Sequence, residues 1–157
     1  MRELQGDFDA TGQRYAIVAT RWNEALVDRL VSGAASVLAD CGVADGDITV
    51  VRVPGAFEIP LAADRLADGG GLDGIVAVGT VIRGETPHFD YVAGECARGL
   101  STTTLEYGIP VGFGVITAEN PAQAEARAGD DEDSNKGAEG ASAAVEMATL
   151  LARIDAR

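Results

Sequence analysis

The sequence is poor in the residue types that build metal sites and disulfide frameworks. It has two cysteines and one histidine among 157 residues. Structural zinc sites take four Cys or His ligands, so we expect no metal, and we expect Cys41 and Cys96 to be reduced thiols in helices. No apolar run approaches the roughly 20 residues that cross a bilayer, and the N-terminal residues lack a secretory signal pattern. A cytoplasmic protein with no membrane partner is therefore expected.

Basic residues are also scarce. The chain has 12 lysines and arginines against 25 aspartates and glutamates, a net charge of −13, and Lys136 is its single lysine. Such a surface repels nucleic-acid phosphates, so we expect no nucleic-acid partner, and a phosphate ligand would need local binding groups. The acidic, lysine-poor composition also suggests a protein that works in concentrated salt, although GC-rich coding bias explains the arginine preference nearly as well.

What the sequence does contain is a regular alternation of strand and helix patterns within the length of one domain, residues 1–157. Strands are predicted at residues 14–20, 48–53, 74–80 and 109–117. Helices are predicted at residues 26–41, 59–66, 90–108, 120–129 and 135–154. Alternation of this kind predicts an α/β fold in which helices cover both faces of a four-stranded parallel sheet.

The unusual residues cluster in the turns that follow the predicted strands. Open α/β sheets bind ligands at the carboxyl ends of their strands, and the four turns should share one edge of the sheet. The richest turn belongs to the stretch GTVIRGETPHFDYV, residues 79–92, which holds the only histidine. We therefore expect the functional site at this edge.

The 79–92 stretch combines an anion-binding pattern with a proton-transfer group. Gly84 permits close backbone approach, and Thr86 adds a hydroxyl donor, so the loop can hold a small phosphate. The Glu85 carboxylate would repel that phosphate, so only its backbone N–H can help. His88 follows directly, and imidazole both gives and takes protons near neutral pH. The alternatives are a plain loop before a helix and a structural histidine.

Aromatic and basic residues supply further candidates. Trp22, the only tryptophan, lies in the turn after the first strand and either stacks on a planar ligand or packs across the top of the sheet. Phe57 and Phe113 carry the same two readings. Arg127 and Lys136 flank an acidic loop and are candidates for binding an anion, although not obviously at the site of their own subunit.

Several sequence blocks together resemble the lumazine synthase family, enzymes of the riboflavin pathway. The blocks cover nearly the whole chain in the family's order and spacing: VPGAFEIPLAA, AVGTVIRGETPHFDYV, GIPVGFGVIT followed by ARAG, and NKG at the start of the last helix. The GTVIRGETPHFDYV block is the most specific of them. The sequence is therefore identified as a member of this family.

The resemblance implies a fold and a reaction. The fold is a flavodoxin-like three-layer α/β sandwich about a four-stranded parallel sheet. The reaction condenses 5-amino-6-(D-ribitylamino)uracil with 3,4-dihydroxy-2-butanone 4-phosphate to 6,7-dimethyl-8-ribityllumazine, releasing phosphate and water. It is the penultimate step of riboflavin biosynthesis, and neither a metal nor an organic cofactor is implied.

The resemblance also assigns roles to residues. His88 matches the proton-transfer residue, and Trp22 matches the aromatic that stacks on the pyrimidine. The ribityl chain and the ring edge are matched by Ala56, Phe57, Glu58, Thr80, Val81 and Ile82. The phosphate loop is matched by Gly84, Glu85 and Thr86. Positions that the neighbouring subunit supplies are matched by Phe113, Arg127 and Lys136, of which Arg127 pairs with the phosphate.

The resemblance further implies a homo-oligomer with active sites between subunits. Shell-forming members carry a short GTKAGN-like turn between the last two helices, and this chain has the longer acidic GDDEDSN instead. Repulsion between acidic subunits opposes dense packing, so a pentamer or decamer is favoured over a 60-subunit shell. The competing functions are an archaeal-type riboflavin synthase, a flavin carrier without turnover, and a scaffold whose assembly is its function.

Overall fold

The fold centres on one parallel sheet, as the sequence alternation predicts. A computed structural model describes residues 1–157. Its strands are β1 (Tyr15–Thr20), β2 (Ile48–Val53), β3 (Gly74–Ile82) and β4 (Val111–Ala118). They pair in the order β2-β1-β3-β4, and every pairing is parallel. Strand β1 therefore lies between the second and third strands of the chain, and β2 and β4 form the edges.

Five helices cover the two faces of the sheet. They are α1 (Glu24–Asp40), α2 (Ile59–Gly69), α3 (His88–Tyr107), α4 (Pro121–Glu125) and α5 (Lys136–Asp155). Helices α1 and α5 share one hydrophobic core with the sheet, and α2 and α3 share the other. The predicted three-layer flavodoxin-like architecture is confirmed, and no helix is long and apolar enough to cross a membrane.

The central strands are buried on both faces because helices pack on each side. All six residues of β1 are buried, as are the first eight of β3. Alternate side chains of β1 point to opposite cores: Ile17 packs with α1 and α5, whereas Val18 packs with α2 and α3. This explains why both strands read as continuous apolar runs instead of alternating ones.

Most element boundaries differ from the sequence prediction by one to four residues, and three of these differences have a local cause. Helix α3 begins at His88, two residues early, and its three consecutive threonines fit because their hydroxyls donate to carbonyls four residues back. Strand β4 begins at Val111 because the preceding Pro110 has no N–H for a strand ladder. Helix α4 ends at Glu125, and Ala128 then pairs with Asn135.

The N-terminal residues pack on the last helix, which the sequence does not indicate. Asp7 donates its backbone N–H to the Thr149 hydroxyl over 2.8 Å, and its carboxylate pairs with Arg153. Gly6 lies so close to Glu146 that an added Cβ would collide with that residue's backbone. Ala10 is fully buried in the core formed with α1 and α5. Residues 6–10 therefore belong to the folded structure.

Candidate active site

An open cleft of about 710 Å³ lies at the carboxyl ends of β1, β2 and β3, beside the start of α3. This is the edge of the sheet at which the sequence places the site. Ten of the fourteen predicted site residues line it: Trp22, Ala56, Phe57, Glu58, Thr80, Val81, Ile82, Gly84, Thr86 and His88. A cleft of this volume is large enough for a drug-sized ligand.

The turn after β1 presents Trp22 to the cleft. The residue is 72% exposed, which is unusual for a large apolar residue in a domain of this size. Gly55 lies opposite, where an added Cβ would be 3.5 Å from Trp22 Cδ1 and 3.2 Å from Glu58 Oε2. The small residue thus leaves room for the indole and the carboxylate to approach the same turn. A planar ligand can stack on the exposed indole face.

The loop from Gly84 to Pro87 leads into the first turn of α3, where His88 is the first helical residue. Gly84, Thr86 and His88 are exposed in the cleft. The N-terminus of a 20-residue helix carries unpaired N–H groups and a positive dipole end, both of which favour an anion. The loop and the imidazole thus face the same space.

Arg83 anchors this loop to the neighbouring strand. Its Nε lies 2.7 Å from Glu119 Oε2, its Nη2 lies 3.4 Å from Asp90 Oδ1, and its guanidinium carbon lies 4.7 Å from the centroid of the Phe89 ring. Two carboxylates and an aromatic face therefore engage the charge of Arg83. No lysine or arginine lines the cleft, so an anionic ligand meets no free cation there from this chain.

The other four predicted site residues lie outside the cleft lining. Glu85 is exposed in the loop but does not line the cleft. Phe113 lies on β4, 46% exposed, in a separate shallow groove with Leu105 of α3. Arg127 follows α4, Lys136 begins α5, and the Lys136 ammonium pairs with Glu139. These three residues are not brought into the cleft of their own chain.

Asn135 organises the segment that carries the two basic residues. It is the N-cap of α5, where its Oδ1 accepts the N–H groups of Gly137 and Ala138 over 2.9 and 3.1 Å. Its Nδ2 donates to the carbonyls of Arg29 and Gly129 over 3.0 and 2.9 Å. The residue is 4% exposed, so a buried amide with four hydrogen bonds fixes this turn.

Five residues of the cleft lining were not among the predicted site residues: Asn23, Gly55, Phe89, Tyr91 and Val92. Phe89, Tyr91 and Val92 lie within the 79–92 stretch, directly after the predicted phosphate loop, and this position was a signal by which they could have been predicted. Asn23 follows Trp22 directly. The only sequence signal for it as a site residue is that it is polar and lies between a strand and a helix. Among Asp, Glu, His and Cys residues, no group of three or more is placed to hold a metal ion.

Comparison with known proteins agrees with the sequence blocks. The family model described as 6,7-dimethyl-8-ribityllumazine synthase matches residues 12–152. A protein of Nitratidesulfovibrio vulgaris named 6,7-dimethyl-8-ribityllumazine synthase is 48% identical over 154 residues, which are 98% of this chain and 98% of that relative. The match spans all the strands and the whole cleft.

Proposed function

Because this chain belongs to the 6,7-dimethyl-8-ribityllumazine synthase family, we propose that the cleft beside α3 is its active site. The enzyme condenses 5-amino-6-(D-ribitylamino)uracil with 3,4-dihydroxy-2-butanone 4-phosphate and belongs to riboflavin biosynthesis. The observation that carries the assignment of the site is the convergence of Trp22, the 84–86 loop and His88 on one cleft. A stacking surface, an anion-binding loop and a proton carrier are what this reaction needs.

The pyrimidine substrate stacks on Trp22 in this proposal. Its ring edge runs along the end of β3, at Thr80, Val81 and Ile82, and its ribityl chain extends along the Ala56–Glu58 turn. Glu58 supports this placement because its carboxylate is a hydrogen-bond acceptor for sugar hydroxyls and lies in the cleft near Trp22. Apolar lining residues hold the flat ring, while the polar turn accommodates the polyol.

The butanone phosphate binds at the loop in front of α3. Support comes from the exposed Gly84 and Thr86 and from the helix N-terminus behind them. Arg83 is engaged by Glu119 and Asp90, so it does not offer a free charge to the phosphate. We therefore propose that the phosphate's cationic partner is Arg127 of a neighbouring subunit, and that Phe113 and Lys136 reach the same site from that subunit.

His88 moves the protons of the condensation. The 5-amino group of the uracil attacks the ketone and expels its oxygen as water to form an imine, and the phosphate then leaves by elimination. The resulting enol rearranges, and the ribitylamine nitrogen closes the second ring with loss of water. Each step transfers a proton, and a positioned imidazole typically accelerates such steps by about 10² to 10⁴. Holding the two substrates together contributes the rest.

The assembly proposed here is a pentamer or decamer that works in the cytoplasm. A shared site requires contact between subunits, and the acidic loop between α4 and α5 disfavours closing pentamers into a larger shell. Both statements rest on the sequence, and light scattering across salt concentrations measures the assembly directly. A particle of 60 subunits would contradict the proposed assembly.

The experiment for the proposed function follows lumazine absorbance and inorganic phosphate together after the two substrates are mixed with the protein. We expect both products in equal amounts above the uncatalysed rate, and a turnover that falls in His88→Ala. Binding of the pyrimidine without product would instead indicate a carrier. An unchanged rate in His88→Ala would remove this imidazole from the mechanism.

A complementation experiment tests the shared site. His88→Ala and Arg127→Ala chains are prepared separately and then reassembled together from denaturant. If one subunit supplies His88 and its neighbour supplies Arg127, some mixed interfaces contain both wild-type residues, so activity returns above that of either variant alone. Reassembly of each variant by itself is the control. No recovery in the mixture would show that both residues serve a site within one chain.

A further inference from the structure

Asn23 has the only left-handed backbone among the non-glycine residues of the chain. Its φ and ψ are 58° and 48°, and it directly follows Trp22 at the start of α1. Asparagine tolerates this conformation better than most residues, but the side chain does not cap the helix as an N-cap asparagine usually does. An unusual backbone at a cleft residue calls for a reason in the site itself.

The side chain of Asn23 is directed to a different partner. Its Nδ2 donates to Thr80 Oγ1 over 3.0 Å, across 57 residues of sequence. Thr80 lies near the end of β3, is 6% exposed and lines the cleft with Asn23. The left-handed turn therefore places the amide over the neighbouring strand instead of over its own helix. The bond also ties the turn that carries Trp22 to the end of β3.

This bond fixes what the Thr80 hydroxyl can offer a ligand. A hydroxyl has one proton to donate and two lone pairs that accept. Since the amide N–H of Asn23 occupies a lone pair, the Thr80 proton stays available for an acceptor. The bond to Asn23 is the only hydrogen bond that the Thr80 side chain makes within the chain. A ligand in the cleft is then the partner to which the proton is donated.

We propose that Asn23 is a positioning residue that sets the Thr80 hydroxyl as a hydrogen-bond donor toward the heterocyclic substrate. The site thereby selects a ring that presents a carbonyl oxygen or an unprotonated nitrogen at this edge, as a pyrimidinedione does. A ring with an amino group in the same place brings two donors together and is disfavoured. The inference rests on the proposed function, because it takes the pyrimidine to bind along the end of β3.

Two substitutions at Asn23 separate the polarity of the amide from the backbone. Asn23→Asp keeps the size and the tolerance for a left-handed backbone, and its charge suits a helix N-terminus. A carboxylate only accepts, however, so Thr80 must donate to it and presents a lone pair to the ligand. Asn23→Gly keeps the backbone and removes the amide, which leaves the hydroxyl free to turn.

Steady-state kinetics with each substrate varied in turn provide the main test. We expect Asn23→Asp to raise the KM for the ribitylaminouracil about tenfold, because a hydrogen bond of roughly 1.4 kcal/mol becomes a mismatch. Asn23→Gly should raise the KM for the ribitylaminouracil about threefold. The Thr80 hydroxyl can still donate to the substrate in this variant, but the hydrogen bond that orients it is lost. The KM for the butanone phosphate and kcat should change less than about twofold in either variant, because only ring recognition is altered.

The double variants identify Thr80 as the route of the effect. In a Thr80→Val background there is no hydroxyl to orient, so adding Asn23→Asp should change the uracil KM less than about twofold. Asn120→Asp is the matched control, because it adds the same charge at another helix N-terminus outside the cleft lining. An Asn23→Asp effect of equal size with and without the hydroxyl would assign it to charge and overturn the inference, as would an unchanged uracil KM in both single variants.

A calorimetric binding measurement distinguishes the failure of this inference from that of the proposed function. If the wild-type protein forms lumazine and the KM for the ribitylaminouracil is the same in the Asn23 variants, only the inference fails. If the wild-type protein forms no lumazine, the Kd of the ribitylaminouracil is compared across the same variants. The order Asn23→Asp weakest, Asn23→Gly intermediate and wild type tightest would still support the inference, and equal Kd values would refute it.

Discussion

Replacing Asn135 by alanine should destabilise the protein more than any single helix cap normally does. The side chain makes four hydrogen bonds in a buried position, two accepted from the first turn of α5 and two donated to carbonyls of α1 and the preceding loop. Loss of the cap costs about 1 kcal/mol. The two donated bonds contribute about 1 kcal/mol each. The expected loss is therefore about 3 kcal/mol in the free energy of unfolding.

The measurement is urea unfolding at one fixed protein concentration, with thermal melting beside it. A loss of about 3 kcal/mol corresponds to roughly 6 to 12 °C in Tm for a chain of this size. Asn135→Asp should fall between the wild type and Asn135→Ala, since it keeps the accepted bonds but turns a charge toward two carbonyl oxygens. Fixed concentration matters because association adds to apparent stability.

Asn120→Ala is the control for Asn135→Ala. Asn120 is also an N-cap, but it is exposed and accepts only the N–H of Gln123 over 3.0 Å. Its replacement should cost about 1 kcal/mol or less. Equal losses at the two positions would refute the view that burial and the two donated bonds make Asn135 special. Turnover should fall in Asn135→Ala as well, because the residue holds the turn between Arg127 and Lys136.

The remaining predictions concern the stability of the protein after single substitutions, at alkaline pH and at high salt concentration. Thr20→Val should raise the free energy of unfolding by about 1 kcal/mol in urea titrations, because the Thr20 hydroxyl is fully buried without a hydrogen-bond partner; a loss of stability would show that the hydroxyl is satisfied. Burial raises the pKa of the Cys96 thiol to about 11. A raised folded-state pKa contributes stability that is complete below the unfolded value of about 8.5 and is lost as pH rises toward the folded value. The alkaline decline in stability should thus be shallower in Cys96→Ala, and parallel pH curves would contradict this. The net charge of −13 predicts that Tm rises from low salt to 1 M NaCl, where the Debye length falls to about 3 Å; a flat profile would exclude salt adaptation.

The strands and helices were predictable because the local residue pattern indicates each of them. Strands β1 and β3 are unbroken apolar runs, α1 and α5 follow helical spacing, and α2 and α4 have a proline in their first turn, at Pro60 and Pro121. Asn120 is the N-cap of α4 in the structure, a role that local sequence favours for an asparagine directly before a proline in the first turn. The strand order β2-β1-β3-β4 was not predicted, because right-handed crossovers only reduce the number of possible arrangements of four parallel strands.

The cleft was predictable where function requires uncommon residues in the strand-end turns. Trp22 and His88 stand out by type and position, Glu58 was assigned by the family resemblance, and all three line one cleft. Asn23 did not stand out, because its meaning depends on Thr80, and that hydrogen bond exists only once β1 and β3 are neighbours. The role of Arg83 was equally hidden in the sequence, because its partner Glu119 follows the end of β4 and meets Arg83 only in the folded sheet.

The contact between the N-terminal residues and α5 has a consequence for how the chain folds. Asp7 and Thr149 are 142 residues apart, and Arg153 follows only a few residues later. During synthesis from the N-terminus, residues 5–7 must wait for almost the whole polypeptide before their binding surface on α5 exists. Docking of this segment is then a closing event, and contacts of such sequence separation slow folding. The same geometry brings both ends of the molecule together, which makes it a candidate for circular permutation with a short joining peptide.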